Sequence, residues 1–198
     1  MNEDDKDAIE QVVETMRMGG VVLYQTTSPR GWALSCNATD DSAVRKLMDI
    51  SLDMPQHQRI VIVQDEQMLE KYIMPMPYFI KEYLREQEKY VTVIFPERGH
   101  IAPTACYPDG TIPVRIIPSI DAPPVQMSRH VLRLGGKPIL AVACTLSGKK
   151  VGSYAEISPA IKSAVSHTSS LLFGVDDLAQ LSTIIKYDPE GHISVVRK

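Results

Sequence analysis

Three hydroxyl residues, Thr26, Thr27 and Ser28, stand together between a short apolar run, Val21–Tyr24, and the turn formers Pro29 and Gly31. Hydroxyls clustered where a strand gives way to a loop are well placed to hold a polar ligand in an α/β protein. The same residue types also build ordinary turns, so composition alone leaves both readings open. A second chemical signal is Arg115, the single charge in the otherwise apolar stretch TIPVRIIP, Thr111–Pro118. A guanidinium inside a strand is costly unless it faces an anion or a cavity, or is held in a structural ion pair or at an edge. A third is Cys144, which ends an apolar run and precedes Thr145-Leu146-Ser147-Gly148. It has the placing of a nucleophile, with His57 or His100 as base, and equally that of a small buried hydrophobe.

Other chemistries find little support. Five histidines, at 57, 100, 130, 167 and 192, never pair at helical i,i+3 or i,i+4 spacing, so no metal centre is indicated. Cys36, Cys106 and Cys144 are far apart and odd in number, which reads as reduced thiols in a cytoplasmic chain. No apolar run approaches a membrane span, and the acidic start MNEDDKD is unlike a signal or transit peptide. With 198 residues, 44% hydrophobic and a net charge of −3, the chain has the makeup of one soluble domain, 1–198. That charge does not favour nucleic acid overall, although it leaves a local basic cavity open.

The elements that must position these groups follow from periodicity. Ile9, Val12, Val13 and Met16 repeat helically and stop at Gly19-Gly20; Val21–Tyr24 is a strand; Val44, Leu47, Met48 and Leu52 mark a helix entered at Thr39–Ser42 and closed by Pro55. Arg59–Val63 is a buried strand. Residues 66–88 form a helix in two pieces, broken by Pro75 and Pro77, and Tyr90–Phe95 is the next strand. A loop leads through the Asp109-Gly110 turn to the Arg115 strand, then to a helix over Val125–Leu134, the strand Ile139–Ala143 and the loop Thr145–Gly148. A helix with Ser158 as N-cap, a short strand Leu171–Phe173 and a hairpin of Ser182–Tyr187 with Ile193–Arg197 complete the chain. Strands and helices mix without strict alternation, so the expected fold class is α/β with one twisted, mixed sheet flanked by helices.

The order of these pieces resembles the YrdC/YciO-like family, whose active members are threonylcarbamoyl-AMP synthases. Tyr24-Gln25-Thr26-Thr27-Ser28 is similar to the family's Tyr-Pro-Thr-(Asp/Glu)-Thr, and Leu34–Thr39 to its Cys-Asp-Ala-Thr turn. Thr111–Ile116 with Pro118 resembles the Val-Arg-x-Pro strand, AVACTLSG (141–148) the Thr-Ser-Ala-Asn-x-Ser-Gly segment, Leu181–Ile185 the Pro-Ser-Thr-Val-Val strand, and Val195-Val196-Arg197 the closing one. The resemblance implies a sheet folded around a concave, positively lined cavity. Active members bind L-threonine, bicarbonate and ATP (with magnesium) there, and their product serves the threonylcarbamoyladenosine modification of tRNA. Carried onto this chain, the ligand-binding candidates are Thr26, Thr111, Arg115, Thr145, Ser147 and Ser182.

This sequence also departs from the pattern. The family's Lys-x-Arg-Pro falls on Leu52-Asp53-Met54-Pro55, its Ser-x-Asn on Ala143-Cys144-Thr145, and the Pro-Gly before its third strand on Glu88-Lys89. Replacing two cations in a triphosphate site removes charge-assisted contacts worth several kcal/mol. The resulting expectation is a cavity that binds a nucleotide, or double-stranded RNA or tRNA, without full synthase activity. The alternatives are a working synthase in which Arg30, Arg45, Lys46 or Arg59 stands in for the lost cations, and a module that binds a non-nucleotide small molecule or a partner.

Overall fold

The computed structural model describes residues 3–27, 30–52, 59–87, 91–117, 123–146, 149–173, 183–188 and 190–197. Ser147, Ser182, His57, Pro118 and the Asp53-Met54-Pro55 segment lie outside the described residues, as do Glu88, Lys89 and Tyr90.

The chain opens with α1 (Glu3–Arg17), which buries Ile9, Val12, Val13 and Met16 as its periodicity requires. It ends at Gly19, which takes φ 71°. Strands β1 (Val22–Thr27) and β2 (Arg30–Asn37) form an antiparallel hairpin in which Thr26 pairs with Gly31 and Thr27 with Arg30. Thr26 and Thr27 therefore belong to the ladder, not to the loop expected from their composition, because β-branched threonine suits a paired strand as well as a turn. In α2 (Asp41–Ile50) the N-cap Asp40 accepts from the Ser42 and Ala43 amides, and Ala43, Val44, Leu47 and Met48 are buried. Leu52 falls past the helix end and is 78% exposed, so it leaves the apolar face that spacing assigned to it.

Next come β3 (Arg59–Val63), α3 (Glu66–Tyr72), α4 (Tyr78–Arg85), β4 (Val91–Phe95), β5 (Ile112–Ile116), α5 (Pro123–Gly135) and β6 (Ile139–Ala143). A small hairpin of β7 (Thr145–Leu146) and β8 (Lys149–Lys150) takes the place of the plain loop expected after β6. The chain closes with α6 (Pro159–Ala164), β9 (His167–Phe173), β10 (Thr183–Tyr187) and β11 (Ile193–Arg197). None of the described helices is long and apolar enough to cross a membrane.

The main sheet runs β11-β10-β4-β5-β3-β6-β2-β1-β9. The pairs β1/β9, β4/β10 and β3/β5 are parallel and the others antiparallel, so the sheet is mixed as expected. Alternation along each strand divides its side chains between two cores. On one face Leu23, Leu34, Val61, Val114, Val93, Leu140 and Ile185 pack beneath α2, α3 and α4. On the other, Val22, Tyr24, Ala33, Ile62 and Ile139 meet α1 and α5. These two helices lie over the β9-β1-β2 side, and the same face continues across β5, β4 and β10 to β11.

Candidate functional site

That continuation carries a transverse row. Strand register places Ile62 beside Arg115, and Ile184 beside both Thr92 and Arg197. Thr92 meets Arg115 directly: the guanidinium donates to Thr92 Oγ1 through Nε at 3.2 Å and Nη2 at 3.0 Å. Both are buried, Arg115 at 7% exposure and Thr92 at 0%. Two arginines thus enter one face from β5 and β11, three strand spacings or about 14 Å apart, with a hydroxyl and an isoleucine between them. Of the two readings of Arg115, a strand-edge position is excluded, because β5 is flanked by β3 and β4.

Tyr107 stands in the loop before β5, within electrostatic reach of Arg197 and Arg59. Burial pushes its phenol above the ordinary tyrosine value, while Arg197 and Arg59 pull in the opposite direction. The loop is held by a turn at Asp109. Its carboxylate accepts from Thr111 Oγ1 at 2.6 Å and Thr111 N at 3.0 Å, and pairs with Lys186 Nζ at 3.1 Å. Thr111, a ligand candidate from sequence, therefore spends its hydroxyl proton on Asp109. These bonds, Thr111's above all, hold the Asp109 carboxyl at about 2. Because the folded value lies below the unfolded one, the stabilisation is complete above about pH 4 and is lost as pH falls through about 2. Urea melts between pH 7 and pH 2 should show Asp109→Asn flattening that acid limb; an unchanged pH dependence would exclude the turn as its source.

Thr26 and Thr145 lie toward the other end of the strands. Thr145 lies one residue past Cys144, which follows β6 and whose amide donates to Trp32 O at 2.7 Å. Its Oγ1 is buried and, among the described residues, makes no hydrogen bond; neither does Trp32 Nε1. A buried polar atom without a partner costs about 1–3 kcal/mol, so such an atom marks a place for a water or a ligand group. Arg115 is level with Ile62, which pairs with Ile139 at the start of β6. Thr145 is six residues further along that direction, roughly 20 Å. The described candidates accordingly span a strip and do not converge on one point.

Cys144 is 1% exposed, and burial pushes its thiol up to about 12. A thiol held protonated inside the core is the small hydrophobe of the two readings. The proposed stand-in cations are also resolved by geometry. Arg45 pairs with Asp41 at 2.7 Å and Lys46 donates to Gly19 O at 3.2 Å, both from α2, which packs on the opposite face of the sheet. Arg59 is half-buried near Tyr107. The Arg30 side chain lies outside the described residues. Sequence reasoning missed Thr92, Tyr107 and Arg197. The Arg197 signal was present in the closing Val-Val-Arg, whereas nothing local in the sequence pairs Thr92 with Arg115.

The row brings two positive charges to one face of the sheet. Among the described residues the one close group of metal-ligating side chains is Asp188, Glu190 and His192. It is exposed on the β10–β11 turn, and there His192 Nδ1 and Asp188 Oδ2 satisfy each other at 2.9 Å.

Comparison with known proteins gives a consistent result. A family model named Sua5_yciO_yrdC, described as telomere recombination, matches residues 14–198. The structure is similar to YciO of E. coli, with TM-score 0.71 and 24% identity over 97% of this chain and 89% of that one. It is similar to P. abyssi Sua5 complexed with L-threonine, with TM-score 0.69 and 18% identity over 90% of this chain and 50% of that one. HypF in a phosphate- and nucleotide-bound form gives TM-score 0.64 and 18% identity, covering 96% of this chain and 28% of that one. This chain therefore spans about half of Sua5 and under a third of HypF.

Proposed function

The chain belongs to the Sua5/YciO/YrdC family, and from that premise we propose that it binds a nucleotide on the Arg115 face without completing threonylcarbamoyl-AMP synthesis. The observation that carries this reading is the row itself: Arg115, braced by Thr92, and Arg197 enter one sheet face of a fold whose relatives include an L-threonine complex and a nucleotide-bound form. The row provides positive charge for a phosphate. Among the described residues it does not provide the clustered lysine and arginine that the family resemblance leads one to expect for a triphosphate. Leu52 occupies the first of those positions as an exposed apolar side chain, and Arg45 and Lys46 are engaged behind the sheet.

A nucleotide is favoured over RNA because Arg115 is nearly buried. A group at that depth meets a phosphate that enters the face; a duplex backbone lying across a surface would need exposed cations. The decisive measurement is pyrophosphate release from ATP with L-threonine and bicarbonate, alongside AMP binding by calorimetry. AMP binding without threonine-dependent pyrophosphate release is the expected result. Threonine-dependent release would make the protein a working synthase. Binding of a double-stranded RNA but not of AMP would replace the nucleotide with RNA.

A further inference from the structure

A cavity of about 530 Å³ opens between the loop segments on either side of the 3-10 turn at Pro103–Ala105, lined by Glu97, Arg98, Gly99, Cys106, Tyr107 and neighbouring prolines. None of Thr26, Thr92, Thr145, Arg115 or Arg197 lines it, so it is separate from the row. Its volume is in the range of small-molecule sites. We propose that this cavity is a second binding site, for a small organic anion bearing one carboxylate or phosphate on a compact, flat body.

Arg98 supplies the charge. Its Nη1 donates to Ile101 O at 2.7 Å and Gly99 O at 3.3 Å, which fixes the guanidinium against its own loop. Among the described residues its Nε and Nη2 make no hydrogen bond and form no ion pair, leaving the planar donors suited to an oxyanion. The charge is felt inside the cavity: Arg98 acts to lower the Cys106 thiol against the burial that raises it. Glu97 also lines the wall and opposes an anion, and Asp109, the next carboxylate, is occupied by Thr111 and Lys186. Pro96, Pro103, Pro108 and the Tyr107 ring give flat apolar walls, which is why the ligand needs a flat body as well as a charge.

Cys106 makes the test direct. Cys36 and Cys144 are 0% and 1% exposed, so the part-exposed Cys106 is the thiol that reagents reach in the folded protein. Alkylation forms a carbon–sulfur bond at Sγ with loss of iodide, and can be run with anionic iodoacetate or neutral iodoacetamide. The ratio of the two rates, taken relative to the urea-unfolded chain, should favour iodoacetate about threefold to tenfold, the effect of one nearby charge at intermediate dielectric. Arg98→Gln should abolish that preference and Arg98→Lys should keep it, which separates charge from a folding defect. Millimolar benzoate or inorganic phosphate should slow iodoacetamide labelling of Cys106 while benzamide does not, and whichever anion protects identifies the carboxylate or the phosphate as the recognised group. A rate ratio equal to that of the unfolded chain, a ratio insensitive to Arg98→Gln, or protection by neither anion would overturn the site.

Discussion

Arg115→Ala should weaken AMP binding about 100-fold while lowering the melting temperature by no more than about 5 °C. The first figure is what loss of a strong charge-assisted contact to a phosphate gives. The second follows from two effects that oppose each other. Truncation leaves Thr92 Oγ1, at 0% exposure, without the donors it receives from Arg115 at 3.0 and 3.2 Å. It also removes a buried guanidinium, whose desolvation offsets part of what its contacts contribute. One kcal/mol is roughly 2–4 °C in a domain of this size. Arg115→Lys keeps the charge but not the planar fork, and should recover part of the affinity. Calorimetric titration with AMP and a thermal melt on the same samples distinguish the two roles. A collapse of stability with AMP affinity intact would make Arg115 a structural residue and move the phosphate site elsewhere.

Gly99→Ala should be among the most damaging single substitutions in the described chain, costing about 3 kcal/mol or more. Gly99 has φ 54°, in the left-handed region where a Cβ is strained by roughly 1–2 kcal/mol. Here the added carbon would also lie 2.4 Å from Ile73 O, 2.5 Å from Tyr72 O and 2.7 Å from Ile73 Cα, all backbone atoms that cannot rotate away. The loop would have to lift from the end of α3, breaking the bond from His100 N to Tyr72 O at 2.7 Å. Gly110 is the control: its φ is 83°, but nothing lies within 4 Å of an added Cβ, so Gly110→Ala carries the backbone strain without the collision. Urea melts of the two variants should differ by about 2 kcal/mol. Equal losses would mean that the close approach at Gly99 relaxes freely. Because Gly99 also lines the Arg98 cavity, its alanine variant should disturb the iodoacetate preference of Cys106 as well.

Much of the architecture was legible in local sequence, because local forces set it. The helical repeat of Ile9, Val12, Val13 and Met16, the helix entry at Thr39–Ser42, the N-cap at Ser158, the break at Pro75 and Pro77 and the apolar runs of β3, β4 and β6 each fix an element through contacts a few residues apart. Where local reading failed, two conformations shared one composition. Thr26 and Thr27 suit either a turn or a strand, and the ladder to Gly31 and Arg30 decided for the strand. Thr145 and Leu146 likewise became strand only by pairing with Lys150 and Lys149.

The sequence by itself determined the family, the α/β class and the identity of Arg115 as an unusual charge in an apolar strand. Each is a property of residue type in chain order. Only the tertiary structure decided what surrounds each charge. It turned Arg45 and Lys46 behind the sheet, committed Thr111 to Asp109, buried Cys144, and brought Thr92 and Arg197 level with Arg115 from strands far apart in sequence. The reason is physical: the side on which a side chain emerges depends on strand register, and its electrostatic environment depends on residues distant in the chain.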